Sequence, residues 1–151
     1  MPTTDEKALV IPSGEGNLIN KVRFKVTSHD SGGACSVFEA EQAPGERLLP
    51  HIHRYEDEIV YVIEGEVEFM IGDQTYRALP GTTVYLPKLI PHGFRIVGTK
   101  KAKTLWIVIP GGFEKMAEEM SSLPSDARLD VEKMLEIGRR YGVEFLQPEE
   151  K

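Results

Sequence analysis

The sequence contains a single cysteine, Cys35, among its 151 residues. One cysteine excludes an internal disulfide framework and fits a reducing compartment, so we expect a cytoplasmic protein. Because Cys35 has no partner at metal-ligand spacing, we interpret it as a small buried side chain rather than as a reactive thiol. Residues 1–5 also lack the basic start and apolar core of a signal peptide, which agrees with that expectation.

Long apolar runs and an excess of basic residues are missing as well. The longest apolar runs, such as residues 105–109, are far too short to span a bilayer. The net charge of −6 argues against a nucleic-acid surface, which needs clustered Lys and Arg. Hydrophobic residues make up 40% of the chain and charged residues 28%, as in a globular domain with one core. We expect neither a membrane nor a nucleic-acid partner.

The first 110 residues show short runs of alternating apolar and polar residues, separated by glycine and proline turns. This regular spacing predicts an all-β sandwich or closed barrel. The expected strands cover residues 8–11, 22–26, 34–43, 66–71, 75–79, 83–86, 94–97 and 103–109, with two more within 45–65.

The pattern changes after Pro110, where two glycines follow. Residues 113–122 place apolar side chains at helical spacing, and Asp130 can cap a second helix that ends near Arg140. We interpret the methionines and leucines of both helices as packing residues without a role in chemistry.

Two histidines and a glutamate in residues 45–65 are the main functional candidates. His51 and His53 are two residues apart in a predicted strand, so both rings project from the same face. Glu58 follows in the next strand, on the face that it shares with the apolar residues at every second position. An unpaired carboxylate would be costly to bury there. Imidazole and carboxylate ligands suit a divalent first-row metal ion, so the stretch predicts a metal site.

His92, in a second segment punctuated by glycine and proline, is the fourth candidate ligand. The remaining histidine, His29, lies in a predicted turn, and we interpret it as a solvated surface residue. We expect the charged residues beside the ligands, Arg54, Glu56 and Asp57, to form a solvated turn.

Both segments resemble the two signature motifs of the cupin superfamily. The first matches at every fixed position, with Gly45, His51, His53, Glu58 and Gly65. The second has Gly81, Pro87 and His92, with Leu89 where the family usually has glycine and Ile96 where it usually has asparagine.

The resemblance implies an antiparallel jelly-roll (cupin) β-barrel with a short helical C-terminal extension. Residues 34–110 would form the barrel, residues 1–33 N-terminal strands that contribute to a dimer, and residues 111–151 the helical segment, all within one structural domain. His51, His53, Glu58 and His92 would hold one divalent ion (Fe, Mn, Ni, Co, Cu or Zn), leaving positions for substrate or dioxygen.

Within the superfamily, the small single barrel and its C-terminal helices resemble bacterial quercetin 2,3-dioxygenase-like proteins. This resemblance implies a dioxygenase that acts on a flavonol or another enolisable hydroxy-ketone, with Glu58 as both ligand and general base. From strand parity we expect Phe38, Phe69, Phe94 and Ile96 to form an apolar substrate pocket, although plain barrel core explains them equally well.

Two other classes of function fit the same ligands. One is a non-oxidative isomerase, epimerase, decarboxylase or lyase that acts on a small oxygenated acid or sugar, because a fold and ligand set do not fix a reaction. The other is a barrel that binds a small molecule without turnover. In either case we expect a homodimer, because a barrel of this size leaves a sheet edge or face to cover.

Overall fold

The computed structural model describes residues 7–124 and 131–146, and these two ranges contain eleven strands and two helices. The strands are β1 (Asn17–Ile19), β2 (Val22–Val26), β3 (Ser36–Gln42), β4 (Arg47–His53), β5 (Asp57–Glu64), β6 (Glu66–Ile71), β7 (Gln74–Ala78), β8 (Thr83–Leu86), β9 (His92–Val97), β10 (Ala102–Ile109) and β11 (Val143–Phe145). The helices are α1 (Phe113–Ser121) and α2 (Val131–Arg140).

The strands form two antiparallel sheets. The six-stranded sheet has the order β1-β2-β3-β10-β5-β8, and the five-stranded sheet has the order β11-β4-β9-β6-β7. From β3 to β10 the chain passes back and forth between the two sheets, as in a jelly roll, except at the β6–β7 hairpin, which stays in the five-stranded sheet. The helices follow the last barrel strand. The predicted all-β fold with a short helical C-terminal extension is confirmed.

The core lies between the sheets and is built from alternate residues of each strand. In the six-stranded sheet, Trp106 of β10 is opposite Phe38 of β3 on one side and Val60 of β5 on the other, and all three are buried. In the five-stranded sheet, Phe69 of β6 is opposite Phe94 of β9. Because strand side chains alternate in direction, the intervening residues face outward.

The structure corrects one predicted strand and adds two. Residues 8–11 are exposed and form no strand, so that prediction was wrong; Pro12 and the turn after it separate this segment from the sheet. Neither β1 nor β11 was predicted, because each is only three residues long and too short to show periodicity. The predicted capping residue Asp130 lies outside the described residues.

The C-terminal elements form a second, smaller apolar cluster beside the barrel. Met116 of α1, Ile137 of α2 and Val143 of β11 are its buried members. The strand β11 pairs with β4, which carries two candidate ligands, so the chain returns to the candidate site at its C-terminal end. Within the described ranges, no helix is long and apolar enough to cross a membrane.

Candidate metal centre

Three strands bring the four predicted ligands together. His51 and His53 lie in β4, Glu58 is the second residue of β5, and His92 is the first residue of β9. One ligand atom from each of the four residues lies within 4.8 Å of the others. All four residues are buried, with at most 4% of their surface exposed.

A close approach between β4 and β9 sets this geometry. The pairing shifts register between Leu48 and His51, around Pro50, and then places His51 opposite His92. A Cβ atom on Gly93 would lie 2.7 Å from the carbonyl oxygen of Leu48 and 2.9 Å from the nitrogen of Pro50. Any other residue at position 93 would push the strands apart, so this glycine keeps the two histidines together.

Backbone carbonyls orient two of the imidazole rings. The Nδ1 atom of His51 lies 2.8 Å from the carbonyl oxygen of Leu49, and the Nδ1 atom of His92 lies 3.3 Å from that of Ile90. A carbonyl oxygen only accepts hydrogen bonds, so Nδ1 carries the proton in both rings. The Nε2 lone pairs are thereby left free, which is the arrangement that metal-ligating histidines commonly show.

The carboxylate of Glu58 lies close to the Nε2 atoms of two histidines. Its Oε1 atom is 2.9 Å from Nε2 of His53 and 3.2 Å from Nε2 of His92. Burial raises the pKa of Glu58, but the neighbouring His53, whose own pKa is raised, outweighs burial, and the pKa of Glu58 is lowered to about 2. Glu58 is therefore an anion at neutral pH.

The histidine pKa values shift in opposite directions. Burial lowers the pKa of His51 to about 4, so this ring is neutral at pH 7 and able to donate a lone pair. Burial also lowers the pKa of His53, but Glu58 beside it outweighs burial, and the net pKa is raised.

The polar atoms of this group are poorly satisfied by the protein itself. The contacts of Oε1 of Glu58 lack hydrogen-bond geometry, and Nδ1 of His53 has no hydrogen-bond partner among the described residues. Buried polar atoms in native proteins are usually paired, so these orphaned atoms call for a partner that the protein does not supply. The donor set and the orphaned oxygen fit a divalent metal ion, whose identity the ligands do not select.

A cavity of about 250 Å³ opens from the ligand group into the barrel. Two of the four predicted pocket residues, Phe38 and Phe94, line it, whereas Phe69 and Ile96 lie in the barrel core and are not among its lining residues. Strand parity cannot distinguish these cases, because all four side chains face inward.

Several lining residues were not predicted. The full lining comprises Val22, Phe38, Ala40, Gln42, Leu48, His51, His53, Glu58, His92, Phe94, Trp106, Phe113, Met116, Met120, Val143 and Phe145. The helix residues among them were interpreted as packing side chains only, but α1 and β11 also cover the cavity. Phe145 additionally packs on His51, with ring centroids 5.3 Å apart.

The charged residues beside the ligands are more ordered than expected. Arg54 donates three hydrogen bonds to Glu144 of β11, and Asp57 accepts one from the backbone N–H of Lys88. Burial raises the pKa of Glu56 to about 7, and its Oε2 atom has no hydrogen-bond partner in the described residues. The prediction of a solvated turn was therefore wrong for Glu56.

Comparison with known proteins agrees with this architecture. A family model described as a cupin domain matches residues 38–108, from β3 to β10, which include all four ligands. A predicted oxalate decarboxylase from Thermotoga maritima has a TM-score of 0.57, at 18% identity, over 59% of this chain and 78% of that one. At this identity the likeness supports the fold alone.

Two curated relatives share part of their length with this chain. Quercetin 2,3-dioxygenase of Bacillus subtilis (strain 168) is 27% identical over 109 residues, which cover 70% of this chain and 32% of that protein. Polyketide synthase CurC of Streptomyces cyaneus is 35% identical over 80 residues, which cover 52% of each. The chain thus spans about a third of the first relative and about half of the second.

Proposed function

We propose that the chain is a metal-dependent cupin dioxygenase for a flavonol-like or other enolisable hydroxy-ketone, since residues 38–108 match a cupin-domain family model. The relative named quercetin 2,3-dioxygenase supports this class of reaction, since its match covers 70% of this chain.

The observation that carries the proposal is the contrast between the ligand group and the rest of the cavity. The four ligands supply four of the five polar lining side chains, and the cavity wall is otherwise aliphatic, aromatic or methionine. The lining contains no Lys or Arg. Apart from a metal ion at the ligand group, no cation would neutralise a phosphate or a second carboxylate along the rest of the lining, where burying such a charge is costly. An apolar ketone with oxygen atoms at one end avoids that cost.

His51, His53, Glu58 and His92 would hold the ion. A divalent ion bound there would polarise the ketone oxygen and lower the pKa of the neighbouring hydroxyl group. The neutral state of His51 and the Nδ1–H bonds of His51 and His92 prepare their Nε2 atoms for this role.

Glu58 is the residue placed to accept the hydroxyl proton. It is ionised at neutral pH, and its buried side chain lines the cavity beside the three histidines. A carboxylate of low pKa is a weak base, so it removes a proton only from a hydroxyl group that is itself acidified. Proton transfer from a hydroxy-ketone bound at this end of the cavity meets that condition.

The aromatic side chains would position the substrate. Phe38 and Trp106 lie with parallel rings and centroids 6.0 Å apart, and Phe94 lies 5.5 Å from Trp106. These rings offer flat apolar surface to a planar substrate and exclude water from the ligand group. Phe69 and Ile96, the other two predicted pocket residues, would support this layer from the core.

A non-oxidative proton transfer on an enolisable ketone is the second candidate function. The relative named polyketide synthase CurC, which is 35% identical over 80 residues, favours it, because the alternating carbonyl groups of a polyketide are enolisable. The site residues would act in the same way, and only the requirement for dioxygen differs.

Measuring turnover in air and under anaerobic conditions tests both candidate functions. Protein loaded with each first-row divalent ion should consume flavonols in air, measured as loss of the flavonol absorbance, and should stop under anaerobic conditions. Turnover that continues without dioxygen would favour the second candidate. No turnover with any of these ions would exclude flavonols as the substrate class.

The substitution Glu58→Gln tests the proton acceptor. It keeps the size of the side chain but removes its basicity, so turnover should fall about 10²- to 10⁴-fold, while the three histidines still retain metal by elemental analysis. The matched control is Glu64→Gln, an exposed glutamate on the same strand, which should leave turnover unchanged. Full activity in the Glu58 variant would remove this residue from the mechanism.

A further inference from the structure

The cavity has polar groups at two ends. Ser36 of β3 is opposite Val108 of β10, and Val108 is opposite Glu58 of β5, so Ser36 marks the level of the ligand group. Gln42 lies six residues further along β3 and lines the same cavity. The β3 residues that line the cavity, Phe38, Ala40 and Gln42, span about 13 Å of strand, so the cavity is an elongated slot along β3.

The Gln42 side chain has no hydrogen bond to any described residue, although it lines the cavity and is half-buried. It is the one polar lining side chain outside the ligand group. The indole N–H of Trp106 does not compete for the same role, because it already donates to Oγ1 of Thr104 at 2.9 Å. A carboxamide offers two hydrogen-bond donors and an acceptor, and in Gln42 none of them bonds to a described residue.

We propose that Gln42 is a specificity-determining residue, which binds a hydroxyl or carbonyl group at the far end of an elongated, uncharged and largely apolar ligand. Which end of the ligand reacts rests on the function proposed above, since the hydroxy-ketone end would lie at His51, His53, Glu58 and His92. The aromatic middle of the slot holds the apolar body of the ligand. Compact, highly hydroxylated molecules such as sugars do not fit this distribution of polar groups.

Intrinsic fluorescence gives a direct measure of binding. Trp106 is the only tryptophan of the chain and lines the slot, so an aromatic ligand bound there quenches its emission. The probes are 3-hydroxyflavone and 3,4′-dihydroxyflavone, which differ by one hydroxyl group far from the hydroxy-ketone. With zinc-loaded protein we expect the dihydroxy compound to bind about 3- to 10-fold more tightly, the range of one hydrogen bond.

Substitution of Gln42 should remove that preference. The variant Gln42→Leu has a similar volume and no polar group, so it should bind both flavones with the same affinity. Gln74→Leu is the matched control, because Gln74 is exposed in the β6–β7 hairpin and its side chain bonds only to Asp73. The control should keep the full preference of the wild-type protein.

Three results would overturn the inference: no quenching of Trp106 by either flavone, equal affinities in the wild-type protein, or an unchanged preference in Gln42→Leu. The first two use the unaltered chain, so they do not depend on the folding of a variant. Failure of the inference about Gln42 can also be distinguished from failure of the proposed dioxygenase function. Gln42-dependent binding without turnover in air would reject the dioxygenase alone, and turnover without the preference would reject the role of Gln42 alone.

Discussion

Leu89 has a backbone conformation that suits glycine better than leucine. Its φ angle is +71°, in the left-handed region where a Cβ atom is crowded. Its N–H donates to the carbonyl oxygen of His53 at 2.8 Å, so the turn that it forms is fixed to a ligand strand. This is the position at which the cupin motif usually has glycine, and the structure gives the physical reason.

The substitution Leu89→Gly should therefore be neutral or stabilising. Relief of strain contributes about 1–2 kcal/mol, and the extra freedom of glycine in the unfolded chain offsets about half of that. The side chain is 55% exposed, so its removal costs little apolar burial. Urea denaturation measures the difference in the free energy of unfolding.

Leu79→Gly is the matched control, because Leu79 is 52% exposed and does not have a positive φ angle. This control should lose about 0.5–1 kcal/mol. Equal losses in both variants would contradict the strain at Leu89.

The clustering of the four candidate ligands could be predicted from the sequence because the parity of a strand fixes which side chains share a face. This rule alone places His51 and His53 on one face, and a buried carboxylate on the next strand, Glu58, requires a partner. The residues that line the pocket could not be predicted from strand parity alone. Phe69 and Ile96 share the inward direction of Phe38 and Phe94, and only the packing of α1 and β11 decides which of them reach the cavity.

At the level of elements, Glu114 attaches α1 to the barrel. Its carboxylate accepts hydrogen bonds from the backbone N–H of Ser28 at 2.5 Å and from Oγ of Ser36 at 2.7 Å. Ser36 in turn accepts a hydrogen bond from the N–H of Gly112, just before α1. Because α1 supplies three cavity residues, this buried carboxylate holds the cover of the site in place.

The substitution Glu114→Gln should destabilise the protein by about 1.5–3 kcal/mol at pH 7, because the charged acceptor is lost and an amide N–H₂ group faces the donors. Burial raises the pKa of Glu114, but the bonds from Ser28 and Ser36 outweigh burial and hold the pKa below its usual value. The stabilisation is therefore present above the unfolded-state pKa and is lost as the pH falls through the folded-state pKa.

Urea denaturation at several pH values checks this expectation. The difference between wild type and Glu114→Gln should be largest near neutral pH and should narrow below about pH 4.5, near the unfolded-state pKa. Glu118→Gln, an exposed residue of the same helix, should change stability by less than about 0.5 kcal/mol at every pH. A pH-independent difference at Glu114 would contradict the role of its charge.

The longer elements could be predicted from the sequence, and the short ones could not. The helix over residues 113–122 and the strand over residues 83–86 have clear periodicity and clear stops, and the structure reproduces both within one residue. By contrast, β11 is a strand only because β4 offers it a free edge, which is information from tertiary structure. Residues 8–11 have strand-like composition but no neighbouring strand.

At the level of the whole molecule, the outer side of the six-stranded sheet is unusually apolar. The pairing of neighbouring strands places these apolar side chains next to each other. Leu105 is opposite Tyr61, and Ile107 is opposite both Ile59 and Val37. We call this the outer apolar face and define it as Val37, Ile59, Tyr61, Ile63, Tyr85, Leu105 and Ile107. Tyr61, Ile63 and Tyr85 are exposed and the other four are half-buried, and an apolar patch of this kind often marks an interaction site.

The predicted homodimer would bury this face, because an apolar patch bordered by paired charges such as Glu39 and Lys103 can be complementary to its own copy across a two-fold axis. Sedimentation should give twice the monomer mass of 16.9 kDa. Tyr61→Glu places a charge in the middle of the face and should shift the protein to monomer, whereas Tyr76→Glu, a similarly exposed tyrosine on β7 of the other sheet, should not.

The two substitutions separate this interface from a general effect of added charge, since each replaces an exposed tyrosine by the same residue. A wild-type mass near 16.9 kDa would contradict the homodimer itself. A dimer that survives Tyr61→Glu would place the interface elsewhere on the molecule. The candidate metal centre lies between the sheets, on the opposite side of β5 from the outer apolar face, so the monomeric variant should bind as much metal as the wild-type protein.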